Sequence, residues 1–465
     1  MEYVIGIILL LTFFGLAYYC IKGYNLMIGF LIISVIWTVL PLLGTLISSQ
    51  AFVQANEVLQ YGAGTKTTLI SILNKIYQTA PEGWGTTLVN VCWGAWFGRV
   101  LMETGIASTL IRKTVELGGD RPMITMTLLN IVIAIIFTAM VGAGPVIAIA
   151  VIALPILMSL GIPKALALFD FMGSVAAGIY LNPVIHAQIR AFILPVDKMP
   201  EFTLGWYAAR FGYIAVAIML ISTTVLAAIY LKRSKMSHAW AAQTRTTTPP
   251  QKNAPYYTLI LPIVPVVLKI WLDFSVIGGF IIAGFLALFL CGKMKGTFKE
   301  NCQLVNKLYY DGVVDTAPLI GFLLTLPMFN IAATYAAPYF KAIIGPIIPT
   351  SEIVVCILFA VLLGFGLFRG PMTLFGCGAA TLGVLSNVAS FSVPFLFVVF
   401  AIPAITANIG SDITQSWIAW GLGYTKVESK DFLKLSIPNI YLAGVPLYIL
   451  AIITMTGLGQ QWFLK

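Results

Sequence analysis

Asn182-Pro183-Val184-Ile185-His186-Ala187-Gln188-Ile189-Arg190 decides how this chain is read. Proline lacks a backbone N–H and pushes the residue before it out of helical conformation. A helix running in through Ala165–Tyr180 therefore breaks at Asn182-Pro183 and resumes toward Pro195. The break carries polar and ionisable groups inside a long apolar segment. A second stretch, Asn408-Ile409-Gly410-Ser411-Asp412-Ile413-Thr414-Gln415, has the same character. The two lead asparagines lie 226 positions apart (408 less 182), and the same offset separates Pro145 from Pro371.

Composition sets the environment. Of 465 residues, 59% are hydrophobic and 9% charged, against roughly 25% charged in soluble proteins. No charged residue occurs between Arg121 and Lys164, a gap too long for one span of about 20 residues. The apolar runs are continuous, without the alternation of barrel strands. The chain is thus predicted to be an all-α polytopic membrane protein embedded in a lipid bilayer. The net charge of +10 then records basic cytoplasmic loops and not nucleic-acid binding. The six cysteines are scattered, without metal-ligand spacing. Val4–Cys20 lacks a basic leader and a cleavage site and is read as a retained span.

Spans are expected at Val4–Cys20, Met27–Ile47, Thr86–Leu101, Tyr207–Leu231, Tyr257–Trp271, Val276–Cys291, Val313–Phe329 and Phe432–Met455. Interfacial helices are expected at Thr67–Tyr77 and Thr297–Tyr310, and an amphipathic helix at Thr104–Leu117 with a counterpart at Ala332–Ile344. Met123–Val141 and Val146–Leu160 flank the tip Gly142-Ala143-Gly144-Pro145. Ile353–Phe368 and Met372–Leu385 flank the tip Arg369-Gly370-Pro371. Each pair is either a re-entrant hairpin or two ordinary spans joined by a tight loop.

Matches in order, including Asn74-Lys75-Ile76-Tyr77 with Asn306-Lys307-Leu308-Tyr309, point to an internal repeat. Residues 1–231 form one half, 232–255 a linker and 256–465 the other half. About five spans per half, an odd number, invert the second half relative to the first, the plan of many secondary transporters. Placing the linker in the cytoplasm puts Lys22, Arg112, Lys113, Arg121, Lys164, Lys293, Lys295, Lys299, Lys426, Lys430 and Lys434 inside. Both termini are then external, in a bacterial inner membrane.

Irregular backbone at membrane depth is tolerated only where protein buries it or it lines a wet cavity. Two tips and two breaks therefore define a candidate site. Half-helices starting after Gly144 and Gly370 would aim N–H groups at an anion, and Pro145 and Pro371 suit their first turns. Arg369 can clamp a carboxylate through two hydrogen bonds, or it is a loop arginine that snorkels. His186 is a proton carrier or substrate donor, or a packing histidine. Asp412 occupies the position equivalent to His186. It is a coupling-ion ligand, or a helix cap. Asp170 is a coupling-ion ligand or an end residue of its helix, and Arg190 marks the external end of its own. Asn182, Asn408, Ser174, Gln188, Thr373, Ser411 and Thr414 are candidate hydrogen-bonding partners, or ordinary glue between helices. No nucleotide loop, His-Glu-x-x-His or nucleophile–base arrangement occurs, and two histidines leave little for metal chemistry. An enzyme or channel is accordingly not expected, and no metal ligand is assigned.

The layout resembles the ion transporter superfamily, most of all its anaerobic C4-dicarboxylate uptake family C and gluconate permease branches. The likeness rests on Gly98, Met102-Glu103-Thr104-Gly105-Ile106-Ala107, the tip Gly142–Pro145, Pro255-Tyr256-Tyr257 and Leu261-Pro262-Ile263-Val264-Pro265. The divalent anion symporters of that superfamily carry Ser-Asn-Thr at both tips, which this chain lacks. The resemblance implies secondary transport of a small organic anion, coupled to H⁺ or Na⁺, without a further cofactor, in a homodimer with an elevator-like movement. An Na⁺/H⁺ antiporter of the same superfamily is the alternative.

Overall fold

Prolines and glycines punctuate the apolar runs, and the helices begin and end at them. The structure, a computed structural model, describes residues 2–22, 24–56, 59, 66–119, 121–193, 199–233, 253–344, 349–388 and 390–456. Most of the linker, with Lys235, Arg245 and Lys252, and both chain ends lie outside the described residues.

The described residues are mostly helical, without strands. The first half runs α1 (Glu2–Ile21), α2 (Leu26–Ile47), α3 (Gln50–Ala55), α4 (Lys66–Asn74), α5 (Ala80–Glu82), α6 (Gly85–Glu103), α7 (Ile106–Gly118), α8 (Pro122–Phe137), α9 (Ala143–Ser159), α10 (Lys164–Ile179), α11 (Pro183–Ile193), α12 (Leu204–Tyr207) and α13 (Tyr213–Arg233). The second runs α14 (Val264–Leu272), α15 (Val276–Leu290), α16 (Phe298–Ile344), α17 (Glu352–Val361), α18 (Gly378–Val388), α19 (Val393–Pro403), α20 (Ser416–Thr425) and α21 (Ser429–Met455). A π-helical turn, Ala208–Gly212, joins α12 to α13, and another, Ala404–Ile409, extends α19.

Among the described residues, five segments are long and apolar enough to cross a membrane: Glu2–Cys20, Leu26–Ile47, Leu204–Arg233, Phe298–Ile343 and Ser429–Met455. The bent pair α10–α11 makes a sixth, with a 67° change of direction at the Asn182 break. This is a polytopic α-helical membrane protein.

The expected elements differ from the observed ones in three places. The interfacial helix, span and amphipathic helix drawn over Thr297–Ile344 are one helix, α16, of 47 residues. Their counterparts in the first half are separate, because Gly105 adopts a left-handed φ of 75° between α6 and α7. The expected span Tyr257–Trp271 is a 3₁₀ turn, Tyr256–Ile260, followed by the nine-residue α14. Pro262 and Pro265 stand at that junction and deny it the N–H groups a continuous helix needs. The helix after the second tip begins at Gly378 rather than Met372.

α16 stays continuous past Pro318, Pro327 and Pro338 because its flanks are packed. Phe30 of α2 meets Phe322 and Phe329, each at 5.3 Å between ring centroids. Trp37 meets Phe329 and Phe340 at 4.9 Å and donates its indole N–H to Thr12 Oγ1 on α1 at 2.9 Å. At Gly312 the backbone of α6 lies so close that an added Cβ would stand 2.8 Å from the Ala95 carbonyl carbon. One body thus forms around α16 with α1, α2, α6 and α18. A second forms around α10, which packs on α8, α9, α13, α20 and α21.

Lipid tails are as apolar as the core, so packing and not water exclusion holds such helices together. Trp37→Ala opens a large void and is expected to cost about 3–5 kcal/mol. Val39→Ala, on the outward face of the same helix, should leave the melting temperature of the purified protein unchanged. Equal melting temperatures for the two variants would refute this packing account.

Candidate anion site between the tips and the breaks

The Asn182 side chain closes the first break. Its amide donates to the carbonyls of Phe137 (3.0 Å) and Met140 (3.1 Å), at the open end of α8. Its Oδ1 accepts the N–H groups of Val184 (3.0 Å) and Ile185 (3.2 Å), at the start of α11. One residue thus caps two helix ends that would otherwise lack partners.

The second break is built differently. The chain continues through the π turn to Ile409, and the irregular stretch falls at 412–415, beyond Asn408. Asp412 is fully buried, and its carboxylate accepts four hydrogen bonds. Oδ2 takes the Arg369 backbone N–H (2.9 Å) and the Asn408 amide (2.8 Å). Oδ1 takes the Thr414 N–H (2.9 Å) and hydroxyl (2.8 Å). Asn408 also accepts from the Gln415 amide, and the Ser411 hydroxyl donates to the Thr406 carbonyl at 3.1 Å.

The Arg369 bond to Asp412 holds a strained tip. Phe368 and Arg369 both sit in the left-handed region, at φ 54° and 53°, a conformation costing roughly 1–2 kcal/mol per non-glycine residue. The Cys377 N–H donates to the Arg369 carbonyl at 2.9 Å. The backbone is thereby pinned on both sides of Arg369. The Arg369 guanidinium donates to the Phe375 carbonyl and to Gln415 Oε1, each at 3.2 Å. It makes no ion pair among the described residues.

A cavity of about 490 Å³ lies at this point. Tip one lines it with Gly142, Ala143 and Val146, the first break with Ile185 and Gln188, tip two with Arg369 and Phe375, and the second break with Thr414–Trp417. Asp315, Thr316 and Phe322 of α16 close it from the other body. Asp315 is paired with Arg99 of α6 through two bonds of 2.6 Å, so these two charges cancel. Gln188 is fully buried, and neither its amide nitrogen nor its oxygen has a hydrogen-bond partner.

Of the residues singled out in the sequence, Arg369, Gln188 and Thr414 line this cavity. Gly144 and Pro145 stand behind its wall. A Cβ on Gly144 would lie 2.1 Å from Asp315 Oδ2, so the bare backbone makes room for the ion pair. Asn182, Asn408, Ser411 and Asp412 are bonded within the breaks, as described. Gly370 and Thr373 lie inside the knot of turns behind Arg369, where a Cβ on Gly370 would meet the Phe365 carbonyl oxygen at 2.1 Å. The Thr373 hydroxyl is buried without a partner. His186 sits among the rings of Phe202, Tyr207 and Phe397, at 4.9–5.7 Å. Arg190 donates to the Met199 carbonyl. Asp170 and Ser174 lie on α10, away from the cavity. The expectation that all candidates surround one ligand therefore does not hold for Asn182, Asn408, Ser411 and Asp412, whose polar atoms are bonded within the breaks.

Arg99, Asp315 and Trp417 escaped the sequence reading, and Gln415, though part of the second quoted stretch, was given no role there. Arg99 and Asp315 lie on α6 and α16, outside the two breaks, and only the fold brings them together. Among the described residues no group of three or more His, Cys, Asp or Glu side chains is placed to hold a metal.

No protein-family model matches the chain, and no curated protein sequence matches it. Among solved structures it is similar to the YdaH transporter of Alcanivorax borkumensis, whose crystal structure was described as having an unusual topology. The TM-score is 0.59 at 13% identity, over 94% of this chain and 99% of that one. The likeness is one of fold.

Each donor left without an acceptor costs about 1–3 kcal/mol when buried. Asp412→Ala orphans four of them and frees the strained tip, so it should lower the melting temperature sharply. Asp412→Asn keeps one acceptor oxygen and should fall between. Wild-type thermal unfolding of Asp412→Ala would show that the clamp contributes nothing.

Proposed function

We propose that this protein is a secondary active transporter of a small organic anion, a carboxylate or dicarboxylate, coupled to H⁺ or Na⁺. The observation that carries the reading is the Arg369 guanidinium, set in a cavity wall and held by neutral acceptors alone. Two of its five N–H donors are engaged, which leaves three for a ligand. A planar carboxylate matches that fork. Gln188, with donor and acceptor both unfilled, supplies a second polar contact. The amino terminus of α9 reaches the cavity at Gly142 and Ala143 and adds the positive end of a helix dipole. Apolar walls, including Phe137, Val141, Phe322, Phe375 and Trp417, lower the local dielectric and strengthen each of these interactions.

Alternating access follows from where the cavity lies. Its walls come from two bodies, one around α16 and one around α10, and a shift of one against the other changes which side it opens to. The resemblance to the C4-dicarboxylate and gluconate branches adds a homodimer; the repeat and its odd span count add inverted halves at 1–231 and 256–465, and the basic loops add a cytoplasmic 232–255 in an inner membrane. Substrate contacts fall to Arg369, Gln188 and the α9 terminus, and coupling falls to a buried acid outside the clamp.

In proteoliposomes, Arg369→Ala should abolish carboxylate uptake, Arg369→Lys should retain a fraction of it, and Arg190→Ala should retain most. The reverse order would overturn the assignment. Proton release on adding Na⁺, with no carboxylate uptake by the wild type, would favour an antiporter.

A further inference from the structure

A second polar cluster is buried in the α10 body, apart from the cavity. Asp170 of α10 is fully buried, and so is Asn130 of α8. The Asn130 amide donates to Asp170 Oδ1 at 2.8 Å and approaches Thr224 Oγ1 of α13 at 3.3 Å. One turn along α10, Gly173 leaves space for Thr223, whose hydroxyl accepts from the Asn439 amide of α21 at 3.1 Å. The Ser174 hydroxyl donates to the Asp170 carbonyl and not to its carboxyl. Two atoms of the central pair have no partner: Asp170 Oδ2 and Asn130 Oδ1.

Both orphaned atoms are oxygens, and they belong to the two side chains already joined by one hydrogen bond. An ionised carboxylate leaves both unsatisfied and stands uncompensated in a dry interior, which is costly. One proton resolves both defects. Bound to Oδ2, it turns that atom into a donor, and Asn130 Oδ1 is the unfilled acceptor. The carboxylic acid and the carboxamide then exchange two reciprocal hydrogen bonds. One O–H bond forms at Oδ2 as one in hydronium breaks and releases water, and the charge on Asp170 goes from −1 to zero.

No other titratable group on the helices packed against α10 competes for this role. Helices α8 and α9 and the turn Ala404–Ile409 carry no titratable side chain facing α10. The remaining packed helices contribute Tyr213, Tyr230, Lys232 and Arg233 on α13, Tyr424 on α20, and Lys430, Asp431, Lys434, Tyr441 and Tyr448 on α21; Lys164 begins α10 itself. None hydrogen-bonds to or ion-pairs with the Asp170 carboxyl. Asp412 is unsuited, because all four of its acceptor positions are filled.

We propose that Asp170, paired with Asn130, is a proton-binding site separate from the anion cavity and carries the coupling proton. This rests on the transport reading above, and its test does not. The probe is the carboxylic C=O stretching band in the infrared spectrum of the purified full-length protein. A band present at neutral pH should be absent in Asp170→Asn and should shift in frequency in Asn130→Leu. Where Asp170→Asn does not fold, the frequency shift in Asn130→Leu makes the assignment. A wild-type spectrum with no such band at neutral pH, or a band unmoved in both variants, overturns the proposal. So does stabilisation by Na⁺ that Asp170→Asn loses, which would make the cluster a sodium site. Asp170→Asn should keep carboxylate-induced stabilisation and lose the dependence of uptake on a pH gradient. If no carboxylate stabilises the wild type while the band behaves as expected, the anion-transport reading fails and the proton site stands.

Discussion

The Asp412 carboxylate is the constraint on which the candidate site depends. Four donors converge on it from the hairpin tip and the helix break. Because its oxygens have no other task, they can hold Phe368 and Arg369 in a left-handed conformation that neither residue favours. That conformation turns the Arg369 side chain into the cavity while its backbone N–H stays on Asp412. A buried anion and a nearby cation would ordinarily pair and cancel. Here the anion's hydrogen bonds go to two backbone N–H groups, the Asn408 amide and the Thr414 hydroxyl, and the guanidinium's own hydrogen bonds go to neutral acceptors, so the two charges lie close without a direct ion pair.

The rest of the fold frames this arrangement. Asn182 does for the first break what Asp412 does for the second: it satisfies loose backbone groups with a side chain. The two devices differ because the first break is a gap between helices, whereas the second follows a π turn and opens four residues later. On the other side of the cavity, α16 is a continuous wall braced by the aromatic contacts of Phe30 and Trp37. The pair Arg99–Asp315 ties it to α6 and adds no net charge. A wall without net charge facing the free N–H donors of Arg369 is suited to a ligand rich in acceptors.

Much of this was legible in the chain. Charge depletion and continuous apolar runs pointed to membrane helices, and Asn182-Pro183 marked a break because proline cannot continue a helix. Arg369 stood out as a cation at a Gly-Pro tip. What was not legible has physical reasons. The continuity of α16 comes from tertiary packing against α2, which overrides the local signal of Asp311-Gly312 and three prolines. The expected equivalence of Asn182 with Asn408, and of His186 with Asp412, followed sequence offset, whereas hydrogen bonding follows the local shape of each break. His186 therefore lies among aromatic rings while Asp412 clamps backbone. Gly144 read as a ligand contact because a half-helix starting after it would aim its first N–H groups at an anion. The group it admits is the Asp315 carboxylate.

The central claim is that the cavity beside Arg369 binds an organic anion. Thermal unfolding of the detergent-purified protein against a panel of small carboxylates and their neutral amides tests it most directly, since a ligand of the folded state raises its apparent stability. The account predicts stabilisation by one class of carboxylate, none by the matching amides, and loss of the effect in Arg369→Ala. Stabilisation by Na⁺ or by pH alone, with no response to any carboxylate, would contradict it.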